Sequence, residues 1–169
     1  MKATRINPDE GRFERRSDID SAKRRREWAR YYGPKRIRSI LMQVLMLADG
    51  DVETVLEIGP YYGLTTAMLD NAGFEVTTAD LNDEPSFWRP QRPHFQMNIT
   101  DPDIEAMKGF DAIVCCETLE HVDFDQAIDA MKAFRAAAPG RLLISVPYKG
   151  WQIFGELFIT GHLFHHKFW

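Results

Sequence analysis

The amino-acid sequence predicts a doubly wound α/β domain built on a parallel sheet. Strand-like apolar runs alternate with amphipathic segments of helical spacing, which is the pattern of a sheet with helices on both faces. The first run, residues 55–58, leads into a turn with two glycines, and the second, residues 75–80, ends in a carboxylate. Such turns bind ligands at the carboxyl ends of parallel strands. At 169 residues, the chain is long enough for one domain with a substantial core.

Residues 1–35 form a basic N-terminal arm, which we expect to be partly flexible and to contain a helix beginning near Ile19. Residues 1–38 hold 13 Lys or Arg and 6 Asp or Glu, a net charge of +7; the remainder carries −11, which gives −4 in total. The arm either contacts nucleic-acid phosphates or is a solvated lead-in, and we favour the second interpretation. The basic residues concerned are Arg12, Arg15, Arg16, Lys23, Arg24, Arg25 and Arg26.

The main domain is expected to span residues 36–169, after the helix break at Gly33-Pro34. Residues 36–48 carry apolar side chains at helical spacing, so this segment predicts an amphipathic helix. Tyr31 and Tyr32, just before the break, are either pocket residues or packing residues.

The stretch from Val55 to Gly63 predicts a buried strand that turns sharply into a helix over residues 64–72. Gly59 and Gly63 let the backbone bend and let a ligand approach it, because a side chain there would block the ligand or forbid the dihedral angles. Glu57, at the carboxyl end of the strand, is expected to face the ligand crevice. The alternative is a tight strand-to-helix connection without a ligand.

A second strand over residues 75–80 follows a helix that Gly73 closes, and it ends in Asp80. A carboxylate there can accept hydrogen bonds from two vicinal ribose hydroxyls, each worth roughly 1.5 to 3 kcal/mol. Asp80 is therefore predicted to recognise ribose, although alone it would be taken for a solvated turn residue. A nicotinamide dinucleotide site is disfavoured, because the Gly-x-Gly-x-x-Gly spacing that seats a pyrophosphate is missing.

These motifs resemble those of class I S-adenosylmethionine-dependent methyltransferases, and the match extends from Arg36 to Trp169. The resemblance implies a Rossmann-like methyltransferase sheet and S-adenosyl-L-methionine as the cofactor. Four stretches carry it in the family's order: residues 55–63, 76–81, 111–122 and 141–148.

The family's first motif reads acid-x-Gly-x-Gly-x-Gly. Glu57, Gly59 and Gly63 match it, whereas Tyr61 replaces the middle glycine and narrows the room beside the methionine part of the cofactor. The resemblance implies that these four residues contact the cofactor.

Further cofactor contacts follow from the resemblance. Leu81 closes the second matched stretch, next to the ribose-binding carboxylate. Residues 94–99 are similar to the family's third strand, which often ends in an acid that holds the adenine amino group. Asn98 stands in that place with an amide oxygen that can accept a hydrogen bond, Ile99 is an apolar neighbour for the ring, and Asp101 lies close by.

Residues 111–116 predict a central buried strand, and Glu117 and His121 follow at its carboxyl end, where methyl donor and acceptor must meet. The resemblance implies that Glu117 contacts the cofactor and that Glu117 and His121 position or deprotonate an acceptor. Alternatively, His121 caps the next helix or satisfies a backbone group.

The run Glu-x-x-Glu-His also resembles the divalent-metal ligands of small-RNA 2′-O-methyltransferases and of some ubiquinone-pathway O-methyltransferases. Glu117, Glu120 and His121 match those positions, and His166 matches a histidine further downstream. A magnesium-like ion there would bind the acceptor hydroxyls and lower the pKa of one. We do not favour this alternative, because relatives without a known metal share the run.

A helix is expected over residues 125–137 and a fifth strand over residues 141–147. The family usually continues with another helix and two further strands, so the sheet is expected to lack these last two strands. Either the chain is a shortened version, or a partner such as a second copy, or the aromatic tail folding back, covers the edge.

The neighbouring Cys115 and Cys116 point to opposite faces of a strand and are read as thiols of a reducing compartment. The sequence shows no apolar run of membrane-spanning length and no signal-peptide pattern, so we expect a cytoplasmic protein. The expected activity is O-methylation of a small metabolite. The alternatives are metal-assisted RNA 2′-O-methylation and a non-catalytic cofactor-binding or interaction module.

Overall fold

The computed structural model describes residues 21–48, 50–83 and 92–146, together with the backbone of residues 156–160 and 163–167. The arm arginines Arg12, Arg15 and Arg16 lie outside the described residues. In chain order the elements are α1 (Ser21–Tyr31), α2 (Pro34–Ala48), β1 (Thr54–Ile58), α3 (Leu64–Asn71), β2 (Glu75–Asp80), β3 (His94–Gln96), β4 (Ala112–Cys116), α4 (Phe124–Ala136), β5 (Arg141–Ser145), β6 (Glu156–Thr160) and β7 (Leu163–Lys167).

The strands form one sheet of order β3-β2-β1-β4-β5-β6-β7, in which β1 to β5 are parallel. The prediction of a doubly wound α/β domain is therefore confirmed. The strand order runs outward in one direction from β1 and in the other from β4, so the direction of winding reverses between them. Ligands of open α/β sheets bind at the carboxyl ends of the strands at this switch point.

The expectation that the sheet lacks its last two strands needs one correction. The tail itself supplies two strands: β6 pairs with β5 and β7 pairs with β6, both antiparallel. Of the alternatives for the edge of β5, the structure thus has the tail folding back over it. The backbone groups of β5 find partners in β6, which is what an apolar strand at a sheet edge requires.

The two faces of β1 carry the two halves of the core. Leu56 and Ile58 pack with Phe134 of α4 on one face, whereas Val55 packs with Leu47 of α2 on the other. Each of these apolar side chains is fully or almost fully buried, which is worth roughly 1.5 to 3 kcal/mol per residue. Because side chains alternate along a strand, Glu57 lies on the same face as Val55, beneath α2 and α3.

Asp111, immediately before β4, links this strand to the beginning of β1. Its Oδ2 accepts hydrogen bonds from the backbone N–H groups of Glu53 and Thr54 and from the Thr54 hydroxyl, at 2.8 to 3.0 Å. These bonds hold the pKa of Asp111 below its usual range. The register of the two central strands, and with it the position of their carboxyl ends, is thereby fixed.

The structure agrees with the predictions for Gly73 and Cys115 and differs from the prediction for the third strand. Gly73 follows α3 with a φ of 98°, as expected for a helix-closing glycine. Cys115 is buried, which raises the pKa of its thiol to about 12, and Cys116 is half-buried. The third strand is shorter than predicted, because β3 ends at Gln96. Within the described residues, no helix has the length and apolar character needed to cross a membrane.

Candidate active site

The turn after β1 passes close to the residue that follows β4. Gly59 has a φ of 73°, and a Cβ added to it would lie 2.4 Å from the hydroxyl oxygen of Thr118. That hydroxyl donates to the carbonyl oxygens of Cys116, at 3.2 Å, and Ile58, at 3.4 Å. Gly63, which immediately precedes α3 as its N-cap, also has a positive φ, of 74°. Both glycines of the motif thus adopt the left-handed geometry that favours glycine, and at Gly59 a side chain would also clash with Thr118.

Glu57 lies directly under this turn and is only 4% exposed. The hydroxyl of Thr66, in α3, donates a 2.5 Å hydrogen bond to its Oε2. Burial raises the pKa of Glu57 to about 7, against the lowering effect of Thr66 and with a smaller contribution from the negative charge of Asp80. The carboxyl group is thus held in place and carries a proton more readily than an exposed glutamate.

Tyr61, which replaces the middle glycine of the motif, has left-handed backbone geometry with a φ of 48°. Its ring lies 4.4 Å from the ring of Tyr31, at the end of α1, and 4.3 Å from that of Tyr62, measured between centroids. Tyr31 in turn packs edge-on against Tyr32 at 4.8 Å. The aromatic contacts of Tyr61 therefore join the turn after β1 to the end of α1.

Glu117 follows β4 in left-handed geometry, with a φ of 56°. The Ser145 hydroxyl, at the end of β5, donates to its Oε1 at 3.1 Å, and the Arg36 guanidinium lies 3.5 Å from its Oε2. Arg36 also lies 4.1 Å from the centre of the Tyr31 ring. Such backbone geometry is uncommon for a residue with a side chain, and the neighbouring contacts of Glu117 hold it there.

One pocket brings several of these residues together at the carboxyl ends of β1 and β4, under α2. The pocket is lined by four of the predicted cofactor-binding residues, Glu57, Gly59, Tyr61 and Glu117. Tyr31 and Tyr32 line it too. The pocket lies at the switch point of the sheet, which is where an α/β domain of this kind binds its ligand.

Four of the five remaining predicted cofactor residues lie at or just after the ends of β2 and β3, on the other side of β1: Asp80, Leu81, Asn98 and Ile99. Oδ1 of Asp80 accepts from the backbone and side-chain N–H groups of Asn82 at 3.1 and 2.9 Å, and Leu81 is exposed. Oδ1 of Asn98 accepts from the backbone N–H and hydroxyl of Thr100 at 3.0 and 2.9 Å. Ile99 packs against the core.

Glu120 and His121 lie in a short 3₁₀ turn, Leu119–His121, after β4. Burial is the main reason that the pKa of Glu120 is raised to about 7, while the side chain of His121 is 57% exposed, with its Nε2 4.0 Å from Oε1 of Glu120. Among the described residues, no three His, Cys, Asp or Glu side chains come together closely enough to hold a metal ion. Only the backbone of His166, in β7, is described.

Sequence reasoning missed several pocket residues, among them Arg36 and Gln43 of α2. The signal for Gln43 is its place as a polar residue between Met42 and Val44 in an apolar helical run. The sequence does not indicate a site role for Arg36, because its partner Glu117 is 81 residues away.

A family model described as a methyltransferase domain matches residues 23–166. The chain therefore belongs to the methyltransferase-domain family, in agreement with the resemblance that its motifs carry. No curated protein matches it.

Solved structures of methyltransferases share the fold. The methyltransferase domain of bacterial CtHen1 is 22% identical with a TM-score of 0.54, aligned over 66% of this chain and 65% of that one. Magnesium protoporphyrin IX methyltransferase from Synechocystis PCC 6803, with bound S-adenosylmethionine, is 19% identical with a TM-score of 0.53, over 66% and 59%. The sugar N-methyltransferase KedS8 from a Streptoalloteichus species is 18% identical with a TM-score of 0.51, over 66% and 47%. The chain thus aligns with less than two thirds of each of these proteins.

Proposed function

We propose that this methyltransferase transfers a methyl group from S-adenosyl-L-methionine to an oxygen atom of a small-molecule acceptor. The proposal rests on the position and geometry of Glu117. This carboxylate lines the pocket just after β4, and its backbone has left-handed geometry. Strained residues held by their surroundings are typical of functional sites. Two similar structures are named for acceptors that are small molecules, magnesium protoporphyrin IX and a sugar, which agrees with this acceptor class.

Two observations support the fit of the cofactor to this chain. Gly59 lines the pocket without a side chain, so a ligand there can reach the backbone of the turn. Gln43 has a buried side-chain oxygen without a partner among the described residues, and it lines the same pocket. In this proposal Asp80 binds the ribose, Asn98 and Ile99 border the adenine, and the cofactor when bound supplies a methyl group that its sulfonium has already activated.

The protein's own contribution to catalysis is mainly orientation. A sulfonium needs in-line alignment with the attacking oxygen, and fixed orientation can supply about 7 to 11 kcal/mol of the barrier. Glu117, held by Ser145 and Arg36, is proposed to accept the hydroxyl proton of the acceptor. A positioned base of this kind adds roughly 10² to 10⁴ in rate. His121, whose side chain is exposed on the 3₁₀ turn, is proposed as a second acceptor contact.

The test is methyl transfer from labelled S-adenosylmethionine to a panel of hydroxylated and aminated small molecules, with magnesium and with a chelator. Glu117→Gln is expected to lower kcat by about 10² or more at an unchanged melting temperature. Glu75→Gln, which removes a carboxylate from an exposed position on β2, is the control and should leave kcat unchanged. Transfer to nitrogen only, or full activity of Glu117→Gln, would contradict the proposal. Activity lost with the chelator would favour the metal alternative.

A second candidate, RNA 2′-O-methylation, is favoured by the charge of α1. Arg25, Arg26 and Arg30 are exposed on this helix, whose last residue, Tyr31, lines the pocket. Phosphate contacts would make binding of a short RNA weaken steeply with salt. Salt-dependent RNA binding that is lost on replacing the three arginines by glutamine, together with methylation of that RNA, would replace the small-molecule proposal.

A further inference from the structure

The outer face of α2 is apolar although it is exposed. Ile37, Leu41 and Leu45 recur every four residues, so they form one stripe along two turns of the helix. They are 38%, 45% and 52% exposed. The opposite face of α2 is buried, with Val44 and Leu47 packed in the core. A helix that is apolar on both faces is normally covered on both, so the stripe has the character of a contact surface.

The surroundings of the stripe are strongly basic. Residues 21–48, which form α1 and α2, hold eight Lys or Arg and one Glu, a net charge of +7, whereas all other residues together carry −11. Arg38 is exposed, and it lies three residues before Leu41 and seven before Leu45, so it shares the outer face of α2. The sequence of α2 contains no acidic residue. A partner of this face therefore needs both an apolar surface and negative charge.

An anionic lipid surface meets both requirements. Its phosphates attract Lys and Arg, and its acyl chains cover apolar side chains that enter the boundary below the headgroups. A nucleic acid attracts the same charge but leaves the Ile and Leu side chains in water. A second copy of the chain covers the stripe, but it brings two basic helices together, and like charges repel. The charge of α1 and α2 therefore favours the lipid.

We propose that the outer face of α2 binds this domain peripherally to an anionic lipid surface. Ile37, Leu41 and Leu45 enter the boundary between headgroups and acyl chains, and Arg38 contacts lipid phosphates. A stripe of about 12 Å is too short to anchor a protein alone, so apolar insertion and charge attraction act together. The acidic remainder of the chain is repelled by the same surface, which turns α2 towards it. Because the inner face of α2 lines the pocket, the contact holds the pocket about 10 Å, one helix diameter, from the lipid.

The test is co-sedimentation of the full chain with two kinds of vesicle, phosphatidylcholine alone and an equal mixture of phosphatidylcholine and phosphatidylglycerol. The wild type is expected to bind the mixed vesicles about 10-fold or more tightly than the neutral ones, and high salt should weaken this binding. The double variant Leu41→Gln/Leu45→Gln is expected to bind the mixed vesicles about 10-fold or more weakly, because it loses the apolar insertion. Arg38→Gln should weaken binding by about 5-fold through the loss of one charge.

Two substitutions on α4 are matched controls. Phe124→Gln removes an apolar side chain from a residue that is 79% exposed, and Arg135→Gln removes an exposed positive charge. Both should bind the mixed vesicles as the wild type does. The melting temperatures of all variants should stay close to that of the wild type, because the replaced residues are exposed. Arg38→Gln keeps the test decisive if the double leucine variant does not fold.

Three results would overturn the inference. The first is a folded wild type that binds mixed vesicles no better than neutral ones, or variants on α2 that bind as the wild type does. The second is a dimer in sedimentation equilibrium that the double leucine variant abolishes, because a second copy would then cover the stripe. The third is binding of a short RNA without binding of vesicles. All these measurements are made without cofactor, so each outcome leaves the proposed methyl transfer to its own test.

Discussion

Replacing Glu57 by glutamine is expected to remove a pH-dependent loss of stability. Burial raises the pKa of Glu57 from an ordinary value of 4.5 to about 7 in the folded protein. Below pH 4.5 the folded and unfolded chains both hold the proton. Between pH 4.5 and 7 the unfolded chain releases it first, so the free energy of unfolding falls as the pH rises through this window.

The magnitude follows from the difference between the two pKa values. One pKa unit corresponds to about 1.4 kcal/mol. The rise in the pKa of Glu57 from 4.5 to about 7 therefore lowers the free energy of unfolding by about 3 kcal/mol between acid and neutral pH. Glutamine does not titrate, and its amide oxygen can still accept the hydrogen bond from Thr66. The Glu57→Gln variant should therefore gain about 3 kcal/mol relative to the wild type as the pH rises from 4.5 to 7.5.

The assay is urea unfolding of both proteins at four or more pH values across this range. Glu120, whose pKa is also raised to about 7, contributes a loss of the same sign to both proteins and cancels in their difference. The control is Glu75→Gln, an exposed position on β2, which should run parallel to the wild type. Parallel curves for Glu57→Gln and the wild type would refute the reasoning, because Glu57 would then titrate as an exposed carboxylate does.

Two further substitutions test the framework of the site. Gly59→Ala is expected to destabilise the protein by about 1 to 3 kcal/mol, because its Cβ would meet Thr118 at a left-handed position. Gly73→Ala shares the left-handed φ but faces open space, so an equal loss for both in urea unfolding would contradict the steric argument. Asp111→Asn is expected to destabilise the protein at neutral pH, because the hydrogen bonds from Thr54 lower the pKa of this carboxyl. This stabilisation is present above the pKa of the unfolded chain, near 3.8, and is lost as the pH falls through the lower pKa of the folded protein. An equal difference in the free energy of unfolding between variant and wild type at pH 7 and pH 3 would contradict it.

The sequence was sufficient for the parallel sheet because buried strands and helix-ending glycines are local signals. The run through Val55 and the turn at Gly59 form as the residues predict, since apolar alternation and left-handed backbone positions depend on near neighbours. The predicted third strand was too long, because Asn98 bonds to Thr100 and not along a strand. That choice between two local bonds is not visible in a pattern of apolar residues.

The parts of the site that the sequence could not predict depend on contacts between distant residues. Arg36 contacts Glu117 because α2 crosses the carboxyl end of β4. The sequence around either residue does not indicate this contact. The large side chain of Tyr61, in place of the motif's glycine, packs against the ring of Tyr31, which comes from a distant part of the chain. The pairing of the tail with β5 was one alternative among three, because the sequence does not say which segment covers a strand edge.

The central claim, that the pocket between α2 and the ends of β1 and β4 belongs to an S-adenosylmethionine site, is tested most directly by calorimetric titration with S-adenosylhomocysteine. We expect saturable binding to the wild type. Asp80→Asn keeps an oxygen for the bonds from Asn82 but loses the charge, so it should weaken binding by about 10- to 100-fold. The matched control, Asp83→Asn, removes an exposed carboxylate three residues further on and should bind as the wild type does. A folded wild-type protein that binds no S-adenosylhomocysteine would contradict the account.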